Sequence, residues 1–122
     1  MKTYCFPYGG SFGPRDSWDG SNEVELSDRD AKRLVTSAKK EPRWRLDEDP
    51  EISDIYDKVS RRLFKKELEE LLNDEYRIQE LREDYESEYG RRKISDRGLA
   101  EKYLDGTTFN INYPEELQNL EI

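Results

Sequence analysis

The most regular pattern of apolar and polar positions lies in residues 50–90. Ile55, Val59 and Leu63 recur at intervals of four residues, which places their side chains on one face of an α-helix. Pro50 suits the first turn of that helix, because the N–H that proline lacks would have no helical partner there. This spacing therefore predicts a helix that starts near Pro50.

A second apolar set continues the same helix on a different face. Phe64, Leu68 and Leu72 belong to this set, which is centred roughly 130–150° around the helix axis from the first. A single straight helix would present one apolar face near its start and another near its end. We therefore expect either that its two ends pack against different neighbours or that the helix bends near Arg61-Arg62.

Asn73 and Asp74 interrupt the pattern, and a second helix is predicted to follow them and to end at Gly90. Two consecutive helices with a short break predict an antiparallel helical hairpin over residues 50–90. The apolar stripe of the second helix comprises Ile78, Leu81, Tyr85 and Tyr89.

Three other stretches alternate apolar and polar residues with a period of two, which predicts β-strands. They lie at residues 2–8, 23–26 and 107–113. Two more helices are predicted, one after Ser27 and one after Ser95, because each serine can cap a helix whose apolar positions follow at helical spacing.

The resulting element order is β-β-α-α-α-α-β, which predicts an α+β fold. We expect a small, mainly antiparallel sheet of three strands, two N-terminal and one C-terminal, packed on about four helices. The 122 residues suit a single domain over 1–122. Glycines in residues 9–22 predict a long loop between the first two strands.

Composition limits the core. Leu, Ile, Val and Phe make up about a fifth of the chain, and 41% of residues are charged, which is near the composition of disordered proteins. Eight tyrosines and two tryptophans argue for folding, because aromatic side chains bury a large area each. We expect a polar-rich domain that gains part of its burial from a partner or as a homodimer.

Cellular location and nucleic-acid binding are constrained by the same composition. No apolar run follows Met1 and none approaches the ~20 residues of a membrane span, so a cytoplasmic protein without membrane contact is expected. The isoelectric point near 4.7 argues against direct nucleic-acid binding, which requires cations that displace counterions from phosphates.

The negative charge is concentrated in residues 67–88. This stretch has ten acidic and two basic side chains, so its charge of −8 equals the net charge of the whole chain. The acidic face is predicted to comprise Glu67, Glu70, Asp74, Glu80, Glu83 and Asp84.

Carboxylates on rigid helices resemble a line of phosphates, which indicates a function in binding. We expect a non-catalytic interaction module or inhibitor whose acidic helical surface binds a basic protein surface, such as that of a nucleic-acid-binding protein. A nucleic-acid mimic of phage or mobile-element origin fits this hypothesis. The alternative is a solvated acidic face that only keeps the protein soluble.

Phe12 and Trp18 define a second candidate surface, because aromatic side chains on a glycine-rich loop can anchor a partner. The alternative is that both rings fold back as a lid on a small core.

Catalytic chemistry has little support in this sequence. Histidine is absent and Cys5 is the single cysteine, which removes histidine-based catalytic arrangements and cysteine zinc sites. We therefore expect no enzyme and no cofactor. Carboxylates leave one alternative, a small metal-binding protein or enzyme that holds Mg²⁺ or Ca²⁺. A basic cluster, Arg91-Arg92-Lys93, could either lie near the acids or contact a phosphate or a nucleic acid.

Overall fold

The computed structural model describes residues 1–14, 16–40, 46–91, 93–114 and 116. Two short 3₁₀ turns precede the second helix. The predicted α+β fold and element order are confirmed. Within the described residues the elements are β1 (Lys2–Phe12), β2 (Asp16–Leu26), α1 (Asp28–Lys40), the 3₁₀ turns Leu46–Glu48 and Pro50–Ile52, α2 (Ser53–Leu72), α3 (Glu75–Tyr89), α4 (Asp96–Asp105) and β3 (Thr108–Ile111).

The three strands form an antiparallel sheet in the order β2-β1-β3. β1 pairs with β2 along its whole length, and its last residues pair with β3 from Ser11 opposite Thr108 to Tyr8 opposite Ile111. The C-terminal strand thus lies beside the first strand. The position of β1 in the centre could not be predicted from alternation alone.

The loop predicted over residues 9–22 is wrong for most of its length. Residues 9–12 continue β1 and residues 16–22 belong to β2. The described part of the turn between the strands is Gly13 and Pro14, and Arg15 lies outside the described residues. The glycines suggested a break, but each strand glycine on the inner face is covered by an aromatic ring.

Two of these glycines face aromatic residues across the hairpin. Gly10 pairs with Trp18, and Gly20 pairs with Tyr8. A Cβ atom at Gly10 would lie 2.7 Å from Cε2 of Trp18, and one at Gly20 would lie 2.7 Å from Cζ of Tyr8. The missing side chains therefore leave the space that the rings occupy, which is how an aromatic neighbour compensates for glycine in a strand.

The inner face of the sheet packs on α1 and the first part of α2. Asn22 is the buried polar residue on this face of β2, and its amide donates a hydrogen bond to the Val59 carbonyl at 3.0 Å. The main apolar core comprises Tyr4, Phe6, Tyr8, Val24, Leu26, Ala31, Leu34, Leu46, Ile52, Ile55, Val59, Leu63, Ile111 and Tyr113.

A chain of hydrogen bonds joins α1 to the residues around it. The buried Ser37 hydroxyl donates to the Asp49 carboxylate at 2.5 Å, and its oxygen lies 2.5 Å from the Tyr113 hydroxyl. Because the single serine proton points to Asp49, Tyr113 donates to Ser37. Asp49 also accepts the Glu51 N–H and caps the 3₁₀ turn before α2. This satisfies polar groups that would be costly to bury unpaired.

Two serines cap helices as their sequence positions predict. The Ser27 hydroxyl accepts a hydrogen bond from the Asp30 N–H at 3.2 Å, and Ser95 accepts one from Gly98 at 3.0 Å.

The chain divides into two compact units, Met1–Leu63 with Thr108–Ile122, and Phe64–Thr107. α2 contributes residues to both, and its first part, with Ile55, Val59 and Leu63, belongs to the core of the first unit. That its two ends pack against different neighbours stays a prediction. In the second unit α3 packs along α4. The single domain and the helical hairpin over 50–90 stay predictions. The buried apolar residues of the second unit are Leu68, Ile78, Leu99, Ala100, Tyr103 and Leu104.

Candidate functional site

Helix α3 carries many of the exposed acidic side chains of the second unit. It begins after Asp74, whose carboxylate accepts a hydrogen bond from the Arg77 N–H at 3.1 Å. It ends at Gly90, whose φ of 78° favours glycine. Ile78 is the buried residue of this helix. Much of the helix surface therefore faces water, which differs from the one-sided burial of an amphipathic core helix.

Three of the six predicted acids have local roles within the fold. Asp74 caps α3, as described above. Glu80 lies 2.8 Å from a guanidinium nitrogen of Arg77, and Glu70 lies 3.8 Å from Nζ of Lys66. These exposed or half-exposed pairs stabilise the fold by about 0–1 kcal/mol each. They also reduce the charge that these acids present to a partner.

The other three predicted acids differ in exposure. Glu67 is half-buried, whereas Glu83 and Asp84 are exposed. Glu83 accepts a weak 3.4 Å hydrogen bond from the Gln79 amide. Within the described residues Glu83 and Asp84 have no basic side chain in ion-pairing distance, so they keep most of their charge for a partner.

The two basic residues of the acidic stretch are held by neighbouring groups. Arg77 donates to the Tyr103 hydroxyl at 3.0 Å and lies 5.0 Å from the centre of its ring. Arg82 donates to the Ile94 carbonyl at 3.1 Å and to Asp96 at 2.6 Å. Because Arg82 balances an acid outside residues 67–88, it leaves the exposed acids of α3 with their charge.

Tyr76 is a surface residue that the sequence pattern missed. Its side chain is 78% exposed, on the first turn of α3 among the carboxylates. Tyr76 lies two positions before Ile78, so at 100° per residue it lies on nearly the opposite side of the helix from the apolar stripe. This angular offset is the feature of the sequence that could have identified Tyr76, because a large aromatic side chain outside the apolar stripe does not pack into the core with it.

Phe12 and Trp18 lie on strands rather than on a loop. Phe12 is the last residue of β1 and is 37% exposed. Trp18 is half-buried, and its ring meets that of Phe109 edge to face at 6.1 Å. Together with its contact with Gly10, this gives Trp18 a packing role in the sheet. Partner binding by these two residues stays a prediction.

Comparison with known proteins found no relative: no family model, curated protein or solved structure matches the chain. Among the described residues, no group of three or more Asp, Glu or Cys side chains is arranged to hold a metal ion. In the same part of the chain, no helix has the length and apolar character needed to cross a membrane.

A separate charged cluster in the first unit is centred on Arg33, which the sequence analysis did not select. Its guanidinium makes two 2.8 Å hydrogen bonds to Asp54, one of 3.2 Å to Asp30 and one of 2.9 Å to the Glu51 carbonyl. The hydrogen bonds from Arg33 lower the pKa of Asp54 to about 2. Those to Asp54 and Asp30 raise the pKa of Arg33 above its ordinary value. The cluster ties α1 to the start of α2.

The Arg33–Asp54 pair predicts a pH effect on stability. Because the folded state lowers the pKa of Asp54, the pair stabilises the fold above about pH 4, and this contribution disappears as the pH falls towards 2. In Asp54→Asn, this part of the pH dependence should be absent. Urea unfolding at about pH 5 and pH 3 measures it, with Asp57→Asn, an exposed acid of the same helix, as the control. Equal pH dependence in wild type and Asp54→Asn would contradict the prediction.

Proposed function

We propose that the protein is a non-catalytic binding module whose acidic side of α3 docks on a basic surface of a protein that itself binds nucleic acid. The observation that supports this most is the combination of Tyr76, 78% exposed, with the exposed carboxylates Glu83 and Asp84 on one helix. A purely solubilising helix surface has no need of a large aromatic side chain in water.

The two kinds of side chain would contribute differently to binding. Exposed carboxylates raise the rate of association with a cationic groove, and their effect decays over a Debye length of about 8 Å at physiological salt. Tyrosine is one of the residues enriched at energetic hot spots, because its flat ring buries a large area and its hydroxyl can still form a hydrogen bond. We therefore assign most of the affinity to Tyr76 and the salt dependence to the acids.

The predicted acids should contribute unequally. Glu83 and Asp84 keep their charge, while Glu70, Asp74 and Glu80 are engaged with groups of their own unit. Reversing an acid that already forms an ion pair also disrupts the fold locally. Glu83 and Asp84 are for this reason the cleaner positions for a test.

The test has two steps, capture of the partner and measurement of affinity. The partner is captured from host lysate at low salt, purified, and titrated against variants. Tyr76→Ala should weaken binding about thirtyfold, as loss of a hot-spot aromatic does. Glu83→Lys/Asp84→Lys should weaken it about tenfold at low salt and less at high salt.

A matched control separates a specific surface from net charge. Asp19→Lys/Glu23→Lys makes the same change in net charge at two exposed acids of β2. Binding that falls equally in both double variants would mean that only net charge matters. Unchanged affinity in Tyr76→Ala and in Glu83→Lys/Asp84→Lys would support the alternative of a passive, solvated face.

The other hypotheses about function have less support. Packing of Trp18 against Gly10 and Phe109 favours the view that this ring belongs to the fold, which leaves Phe12 as the exposed aromatic of that surface. The carboxylate-dependent metal site and the homodimer stay hypotheses.

A further inference from the structure

A cleft in the second unit lies between the end of α3 and the start of α4. Its volume is about 510 Å³. Three basic side chains and one acidic side chain line it, so its charge is opposite to that of the chain as a whole. The lining residues are Arg82, Glu86, Arg91, Lys93, Ile94 and Ser95.

Arg82 holds the two walls of this cleft together. It extends from α3, and its guanidinium donates to the Ile94 carbonyl and to the Asp96 carboxylate on the other wall. Its side chain is 29% exposed and its charge is balanced by Asp96. Arg82 is thus a structural support whose remaining N–H groups border the cleft.

The unbalanced positive charge comes from Arg91 and Lys93. Both are exposed, and within the described residues neither lies in ion-pairing distance of a carboxylate. Arg92, the third residue of the basic cluster, lies outside the described residues. Two basic side chains that line one concave surface and form no ion pair with a described carboxylate repel each other, which is a poor arrangement for stability.

We propose that this cleft binds a phosphate group, either as free phosphate or as the monoester of a small organic molecule. A phosphate monoester carries about −1.5 to −2 charges at pH 7, which matches Arg91 and Lys93 together. The Ser95 hydroxyl accepts the Gly98 N–H and still has its own proton to donate to a phosphate oxygen. Arginine matches the geometry of phosphate oxygens, and lysine adds a compact charge.

The size and remaining walls of the cleft fit a group attached to the phosphate. Its volume lies within the range of about 300–1,000 Å³ found for small-molecule sites. Ile94 offers apolar contact to the organic part. The negative charge of Glu86 would repel a bound anion. A substitution at Glu86 therefore tests whether the ligand of the cleft is negatively charged. The inference concerns a different set of side chains from Tyr76, Glu83 and Asp84 and does not depend on the proposed function.

Calorimetric titration with inorganic phosphate and with glycerol 3-phosphate tests this inference. Both are compared at constant ionic strength, with glycerol as the uncharged control. We expect saturable binding with a dissociation constant of about 1 mM or lower. Tighter binding of glycerol 3-phosphate would identify an organic phosphate as the ligand, and equal binding would identify free phosphate.

Variants assign the binding to the cleft. Arg91→Gln/Lys93→Gln should weaken binding by about tenfold or more. The control Arg61→Gln/Lys65→Gln removes the same two charge types at exposed positions of α2 and should change affinity by less than about twofold. Glu86→Gln should tighten binding, because it removes an opposing charge. Circular dichroism checks that each variant is folded.

Absence of saturable binding to the wild-type protein would overturn the inference. Equal weakening in the two double variants would also overturn it, since net charge rather than the cleft would then determine binding.

Discussion

Replacing Phe6 with alanine is expected to lower the free energy of unfolding of the first unit by about 3–5 kcal/mol. Phe6 is fully buried on the central strand β1, where its ring belongs to the core formed with α1 and α2. Removing the ring loses the free energy gained by its transfer from water into the core. It also leaves a cavity that the neighbouring side chains cannot fill. The total free energy of unfolding of a small domain is only about 5–15 kcal/mol, so this single change removes a large share of it.

Urea unfolding followed by far-ultraviolet circular dichroism and tryptophan fluorescence measures the effect. Phe12→Ala is the matched control, because Phe12 lies on the same strand and the same face but is 37% exposed. Its loss should cost about 1 kcal/mol or less, in proportion to the smaller area that it buries. Similar losses in the two variants would mean that the core is not centred on Phe6.

The fold class was predictable because several signals agreed. Alternation placed Phe6, Val24 and Ile111 on one face of their strands, and all three are buried there. Serine caps marked the starts of α1 and α4, and the structure has them in that role. Agreement between periodicity and capping leaves few alternative arrangements for a chain of this size.

The hairpin was mispredicted because the compensation for its glycines is not local. Gly10 and Gly20 raise the cost of a strand, and the aromatic rings that cover them lie on the opposite strand at Trp18 and Tyr8. A single-sequence pattern registers the glycine but not its partner across the turn. Whether these residues form a loop or a strand therefore depends on which residues pair across the hairpin, and that pairing is set by the register of the two strands.

The candidate site was predictable in its charge but not in its geometry. The sequence gives the location of the acids along α3, whereas the pairing of Glu80 with Arg77 and of Arg82 with Asp96 depends on rotamers and on the packing of α4. Tyr76 shows the reverse case, since its offset from the apolar stripe was visible in the sequence. Its significance lies in its exposure, which required the structure.

Gly20→Val is expected to destabilise the first unit by about 3 kcal/mol, at the upper end of the usual cost of overpacking. A Cβ atom at this position would lie 2.7 Å from both Cζ and the hydroxyl oxygen of Tyr8. The Tyr8 ring is itself buried and lies edge to face with Phe109 at 5.9 Å, so it has little room to move aside. The same urea unfolding experiment measures the loss.

Two glycines of the neighbouring strand β1, Gly10 and Gly9, test whether the cost comes from contact with an aromatic ring. A Cβ atom at Gly10 would lie 2.7 Å from the ring of Trp18 and 3.0 Å from that of Phe109. Because Trp18 is half-buried and Tyr8 is buried, we expect Gly10→Val to have a smaller cost of about 1–2 kcal/mol. Gly9 faces the other side of the sheet, where a Cβ atom would meet nothing closer than 3.6 Å. Gly9→Val should be neutral or slightly stabilising, because valine favours strands and glycine does not. If all three variants lose the same free energy, the cost comes from valine in this hairpin and the rings of Tyr8 and Trp18 do not depend on glycine.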